Sequence, residues 1–106
     1  MQKKLNLPVH PGRILREDVF PEAGISVSEV ALALDEPDEV LHQILAERMP
    51  LSAALCLKIG KFFDSTPEMW SRLQASYDLQ TARMDERISE SIKRIVPIDP
   101  IPRLKT

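Results

Sequence analysis

The sequence is poor in the residues that build disulfide frameworks and structural metal sites. Cys56 is its single cysteine, and His10 and His42 are its two histidines. One cysteine cannot form an intramolecular disulfide, and these three residues lack the spacing of a zinc site. We therefore expect no disulfide, no metal and no cofactor, with Cys56 acting as a small buried hydrophobic residue between Leu55 and Leu57.

Long hydrophobic runs are also missing. No apolar stretch approaches the roughly 20 residues that cross a bilayer. The polar residues 1–4 lead to residues 5–8, which include Asn6 and Pro8 rather than the apolar core of a signal peptide. We expect a cytoplasmic protein without a membrane partner.

A catalytic constellation is absent from the sequence as well. Cys56 has only Lys58 as a basic neighbour within one helical turn, and His10 beside Pro11 fits the entry of a helix better than a general base. No other residue combines a base with an orienting partner, which nucleophilic catalysis needs. We predict that the chain is not an enzyme.

Glycine and aromatic residues are scarce, which points to a helical fold. The 106 residues include 3 glycines and 5% aromatic residues, while 43% are hydrophobic and 28% charged. Leucine, isoleucine, alanine, glutamate and arginine are frequent, and alternating β-branched runs are nearly absent. This length and composition predict a single all-α domain with a modest core.

Acidic residues dominate one stretch of the chain. The net charge is only −2, so the total neither favours nor excludes nucleic acid as a partner. In residues 25–50, however, Arg48 is the single base against six acids: Glu29, Asp35, Glu36, Asp38, Glu39 and Glu47.

Start and stop signals predict the first three helices. The first begins near Pro11, where a missing amide proton is tolerated, and ends at Pro21 and Gly24. Ser26 and Glu29 fit a capping box, which starts a second helix over about residues 26–34. Residues 35–37 interrupt the helical spacing only briefly before it resumes. Such a short break between two helices is typical of a helix-turn-helix.

Three more helices are predicted after residue 50. Ser52 and Thr66 are candidate caps of the fourth and fifth helices, and the sixth starts near Asp85. Prolines then exclude regular helix, so residues 97–106 are expected to form an extended tail. The spacing of Met69, Trp70 and Tyr77 places them on one side of the fifth helix, which is expected to face the core. The predicted core consists of Ile14, Leu15, Val19, Val30, Leu34, Leu41, Ile44, Leu45, Leu55, Ile59, Phe62, Trp70 and Leu73.

The amino-acid sequences of several motifs over residues 8–83 resemble those of a known family. The opening HPGRILRE at residues 10–17 and the strings FDSTPEMW at 63–70 and LQASYDL at 73–79 are similar to HigA-type addiction-module antitoxins. These antitoxins belong to the lambda-repressor-like helix-turn-helix proteins. The helix-turn-helix register between residues 26 and 52 fits the family but is common to many regulators.

The resemblance implies a fold and a function. It implies a five-helix helix-turn-helix domain over residues 11–83, preceded by an N-terminal arm at 1–10 and followed by a C-terminal helix and tail at 84–106. It also implies an antitoxin that binds a small RelE-like ribonuclease toxin and represses its own operon as a dimer.

The residues expected to contact DNA depart from the family pattern. Family members usually carry basic or small polar residues at the start of the third helix, whereas this chain carries Asp38 and Glu39. Carboxylates are repelled by phosphates, although each can accept from a cytosine amino group. Gln43 could pair with adenine. The candidate DNA contacts are Ser28, Asp38, Glu39, His42, Gln43 and Arg48.

The sequence alone leaves two pairs of alternatives open. The basic residues Lys3, Lys4, Arg13 and Arg16 either bind the toxin or solvate the N-terminus. The chain itself is either a repressor that also neutralises a toxin, or a toxin-binding module or stand-alone regulator whose acidic third helix binds DNA weakly. Residues 81–106 contain more apolar side chains than this segment can bury by itself. A second copy of the chain would cover them, so we predict a homodimer.

Overall fold

The computed structural model describes residues 7–98, and this part of the chain folds into six helices without a strand. The predicted all-α class is therefore confirmed. Lys3, Lys4 and residues 99–106 lie outside the described residues. The helices are α1 (residues 11–23), α2 (Val27–Leu34), α3 (Asp38–Leu45), α4 (Ala53–Phe62), α5 (Pro67–Arg83) and α6 (Glu86–Lys93).

Helix α1 continues through Pro21, so the prediction that Pro21 ends it was wrong. The segment Leu15–Val19 forms a wide turn, in which the Phe20 N–H donates to the carbonyl oxygen of Leu15. This is the hydrogen-bond pattern of a π-helix. The widened turn makes room for the proline ring, which would clash in a regular helix. The helix ends at Gly24, whose φ of 65° is left-handed.

The predicted caps are confirmed. Ser26 Oγ accepts from the Glu29 N–H at 3.1 Å, and the Glu29 carboxylate accepts from the Ser26 N–H at 2.8 Å, which completes the capping box. Ser52 and Thr66 accept from the third amide of α4 and α5 in the same way. Asp85 caps α6 by accepting from the Arg87 N–H. The starts of α2, α4, α5 and α6 are thus encoded by neighbouring residues.

The core combines residues from α1 to α5. Of the predicted core residues, nine are buried and Ile14, Val19 and Leu73 are partly buried against them. Phe62 was predicted wrongly, because 39% of its surface is exposed. Met69 is also exposed, whereas Trp70 is buried and donates from Nε1 to Ser65 Oγ at 2.8 Å. Buried residues that the helical spacing did not indicate are Phe20, Leu51, His10 and Gln74.

The N-terminal end of α1 lies directly against α3. A β-carbon on Gly12 would overlap the backbone carbonyl of Ile44, so only glycine allows this approach. His10 precedes the helix as its cap: its Nδ1 accepts from the Gly12 N–H at 2.8 Å. The imidazole is buried and meets Tyr77 edge to face, with 4.8 Å between the ring centroids.

The C-terminal part of the described chain is mostly exposed. Helix α6 has no buried residue, and residues 95–98 continue without regular structure. The domain boundaries at residues 10 and 83 stay predictions. No helix within residues 7–98 is long and apolar enough to cross a membrane.

Candidate nucleic-acid interface

Helices α2 and α3 form a helix-turn-helix joined by the three residues 35–37. Their buried sides carry Val30 and Leu34 on α2 and Leu41 and Ile44 on α3. Asp35, at φ 59°, makes the sharp turn that ends α2. Because the apolar residues face inward, the polar residues between them point away from the core. In proteins of this architecture the second helix enters the major groove.

Four of the six predicted DNA contacts lie on α2 and the first five residues of α3. Ser28, Asp38, Glu39 and His42 are exposed there. Gln43 follows one position later and is partly buried. Arg48 lies beyond the end of α3 and is exposed. The predicted residues are therefore accessible along the helix-turn-helix.

Ser28 and Asp38 link the outer surfaces of α2 and α3. The Ser28 hydroxyl donates its proton to Asp38 Oδ2 at 2.6 Å. Asp38 is the first residue of α3, so its carboxylate also faces the positive end of that helix. This contact joins two predicted DNA contacts that lie ten residues apart, and it leaves the hydroxyl of Ser28 without a proton to donate to DNA.

Glu39 and Gln43 form a second pair, within α3. Gln43 Nε2 donates to Glu39 Oε2 at 2.6 Å, across one helical turn. The amide oxygen of Gln43 remains an acceptor. Asp38 and Glu39, the two acidic residues at the start of α3, therefore each hold another predicted DNA contact.

Arg16 holds the C-terminal end of α3. Its Nη1 donates to the carbonyl oxygen of Leu45 at 2.6 Å and to the Glu47 carboxylate at 3.1 Å. Nη2 of the same guanidinium donates to Glu17 at 2.9 Å. This contact with Arg16, followed by one with Arg13, lowers the pKa of the Glu17 carboxyl below its ordinary value. Arg16 thus has a structural role that the sequence did not indicate.

Arg13 and Arg48 are the more available bases of this region. Arg13 is exposed, and within residues 7–98 its single ion pair is with Glu17 at 3.4 Å, one turn along α1. Arg48 is exposed and takes part in no salt bridge within residues 7–98. Arg48 can therefore reach a phosphate without first leaving an ion pair.

Gln74 fixes the segment that follows α3. Its side-chain oxygen accepts from the Leu51 N–H at 2.8 Å, and its Nε2 donates to Asp78 at 2.9 Å. Gln74 is buried, so these bonds satisfy a polar group that would otherwise be costly to bury. Helical spacing cannot identify such a residue, because its partner lies 23 residues away.

His10 lies next to the segment that follows α3, close to Glu47 and the backbone of Met49. Burial lowers the pKa of its imidazole, and the Glu47 carboxylate and the Met49 backbone oppose that shift only in part. The ring caps α1 as a neutral acceptor, and this matches the prediction of a helix-entry residue rather than a general base.

Known proteins with similar sequences or structures include antitoxins, HTH-type transcriptional regulators and virulence-associated proteins. No protein-family model matches the chain. Virulence-associated protein I of Dichelobacter nodosus is 31% identical, over 85% of this chain and 81% of its own length. The antitoxin HigA of Pseudomonas aeruginosa, solved with the higBA promoter, has a TM-score of 0.79 and 33% identity over 86% of this chain and 98% of its own. The antitoxin GraA, solved in complex with its operator, has a TM-score of 0.80 and 36% identity over 92% and 98%.

Proposed function

Because this chain belongs to the HigA-type antitoxin family of helix-turn-helix proteins, we propose that it represses its own operon by binding an operator and neutralises a small RelE-like ribonuclease toxin. The chain acts by binding and has no catalytic role of its own. The observation that carries the DNA-binding part is the exposed polar surface of α2 and α3. The operator complexes of HigA and GraA support it, since both antitoxins share this fold.

The proposed DNA contacts divide into two kinds. Asp38, Glu39, His42 and Gln43 lie on α3 and would face base edges in the major groove. Ser28 and Arg48 would lie near the backbone, where Arg48 supplies the positive charge that a phosphate contact needs. Base contacts give sequence preference, and the phosphate contact gives affinity that falls with salt.

The acidic surface of α3 favours a second candidate function. Asp38 and Glu39 are exposed and lie at the end of the helix that would approach the phosphates, which lowers DNA affinity by repulsion. A toxin-binding module or a regulator with weakened DNA binding would tolerate these residues. This candidate predicts complex formation with the toxin but no binding to the operator.

The toxin contacts are proposed for the basic N-terminal part of the chain. Lys3 and Lys4 lie outside the described residues, and Arg13 is exposed on α1. Arg16 is the weakest of the four candidates, because its guanidinium already contacts Leu45, Glu47 and Glu17. We therefore place the toxin surface on Lys3, Lys4 and Arg13.

We propose a homodimer whose interface includes α6. Ile88, Ile92 and Ile95 are 40%, 57% and 67% exposed. Val96 and Ile98, which follow them in the sequence, are exposed as well. A second copy would cover this apolar surface and place two recognition helices on a two-fold symmetric site. Sedimentation of Ile92→Glu should show a weaker dimer than Ser91→Glu, its exposed neighbour. A monomer in the unsubstituted protein at micromolar concentration would contradict the proposal.

One cell-based experiment tests both parts of the function. A reporter gene under the chain's own promoter should be silenced when the chain is expressed. Expression of the proposed RelE-like toxin should stop growth, and co-expression of the chain should restore growth. Rescue of growth without silencing would favour the toxin-binding module, and silencing without rescue would favour a regulator alone.

A further inference from the structure

We propose that the carboxylates of Asp38 and Glu39 select cytosine in the operator, by accepting from its exocyclic amino group in the major groove. This inference rests on the DNA binding proposed above and adds the class of base that α3 recognises. Asp38 and Glu39 are the first two residues of α3, and both are exposed. The first residues of a recognition helix are the ones that reach base edges.

The hydrogen bonds within this surface leave acceptors in excess. Ser28 has a single hydroxyl proton, which it donates to Asp38 at 2.6 Å. Gln43 donates one amide N–H to Glu39 at 2.6 Å, which leaves it one N–H and its acceptor oxygen. Within residues 7–98, Asp38 and Glu39 each accept one side-chain hydrogen bond, so their carboxylate oxygens keep further lone pairs for donors on the DNA.

The loss of water from the carboxylates turns this excess of acceptors into a preference between bases. A carboxylate that enters the groove loses water, and a buried charge without donors is costly. The donors that the major groove offers are the amino groups of cytosine and adenine, whereas guanine N7 and O6 and thymine O4 are acceptors. Guanine or thymine opposite Asp38 or Glu39 would therefore set acceptor against acceptor.

Cytosine satisfies the carboxylates better than adenine does. The adenine amino group lies next to N7, an acceptor that would repel the second carboxylate oxygen. The cytosine amino group has only the ring C5–H on its groove side. Since Asp38 and Glu39 are adjacent, we expect cytosine at one or two neighbouring positions of each half-site.

The pairs with Ser28 and Gln43 favour the same outcome. Each pair supplies its carboxylate with one donor from the chain, which lowers the cost of bringing the charge into the groove. The carboxylates can thus act as acceptors at the DNA. Their repulsion from phosphates reduces affinity for all sequences, but it leaves the preference between bases intact.

The test is selection of binding sites from a pool of randomised duplexes, with the full chain and two variants. Glu39→Gln keeps the shape of the side chain but adds a donor, so it should admit guanine or thymine at one half-site position. Glu68→Gln is the matched control, because it removes the same charge from an exposed position on α5. The unsubstituted chain and Glu68→Gln should both prefer cytosine at that position, by about tenfold over guanine or thymine.

Each outcome decides between the two proposals. Cytosine at the position that Glu39→Gln relaxes supports the inference. A selected site in which Glu39→Gln changes no position, or changes one that holds guanine, thymine or adenine, overturns the inference and leaves DNA binding intact. Failure of all three proteins to enrich any sequence contradicts the proposed operator binding, and the inference falls with it.

Discussion

Arg16 on α1 donates to the carbonyl oxygen of Leu45, the last residue of α3, at 2.6 Å. The bond caps the C-terminal end of the proposed recognition helix from a helix that precedes it in the chain. The Glu47 carboxylate accepts from the same guanidinium nitrogen, so the turn after α3 is held as well. The orientation of α3 therefore depends on a residue outside the helix-turn-helix.

Replacement of Arg16 should loosen α3 more than it unfolds the domain. Arg16→Met removes the donor from the Leu45 carbonyl, so amide hydrogen exchange should become faster in residues 46–48 and operator affinity should fall. Arg13→Met is the control, since the pair that Arg13 makes with Glu17 is exposed on both sides. Its stability should change by less than about 0.5 kcal/mol. If the two variants had the same amide exchange rates in residues 46–48 and the same operator affinity, a positioning role for Arg16 would be contradicted.

Two glycine substitutions should separate packing from backbone conformation. Gly12→Ala forces a β-carbon into the Ile44 carbonyl, which should cost about 1–3 kcal/mol and displace α3, so operator affinity falls as well. Gly24→Ala has open space but a left-handed φ of 65°, which costs about 1–2 kcal/mol without moving α3. Urea denaturation and operator binding measure both effects. Unchanged operator affinity in Gly12→Ala would contradict the proposed coupling.

Truncation of Trp70 should remove much of the domain's stability. The ring is 2% exposed, so Trp70→Ala should lower the free energy of unfolding by about 3–5 kcal/mol. Met69→Ala, on the exposed neighbour, should cost less than about 1 kcal/mol. Urea denaturation of the two variants checks the difference, and similar losses would mean that the indole is not a core residue.

Stability should decrease as the pH falls, because of His10. Its pKa is lower in the folded protein than the ordinary value of 6.5, so the unfolded chain binds the proton first. The contribution of His10 is complete above pH 6.5 and is lost as the pH falls through the folded-state pKa.

Asparagine at position 10 isolates this effect. His10→Asn keeps an acceptor for the Gly12 N–H but cannot titrate, so the free energy of unfolding should depend less steeply on pH below 6.5. Denaturation at several pH values measures the slopes, and an unchanged slope in His10→Asn would contradict the account.

Helix starts and most of the core were predictable from the sequence because they depend on neighbouring residues. Ser26, Ser52 and Thr66 bond to amides three positions away, and the apolar spacing marks the buried side of each helix. Phe62 follows that spacing but lies at the last turn of α4, where the domain no longer covers it.

Contacts between distant residues were not predictable in the same way. Gln74 and Leu51, or Arg16 and Leu45, meet only because the helices pack, and no local pattern signals them. Ser28, Asp38, Glu39 and Gln43 were identified as candidate contacts one by one. Their pairing emerged only from the geometry of α2 and α3.

The central claim is that α3 recognises an operator sequence, and fluorescence anisotropy with Gln43→Ala tests it most directly. The full chain and the variant are titrated onto the promoter duplex and onto a scrambled duplex of equal composition, at low and high salt. We expect the unsubstituted chain to prefer the promoter. Gln43→Ala should lose about 1–3 kcal/mol of binding free energy on the promoter and almost none on the scrambled duplex. Equal binding of both duplexes by the unsubstituted chain, or no promoter binding at low salt, would contradict it.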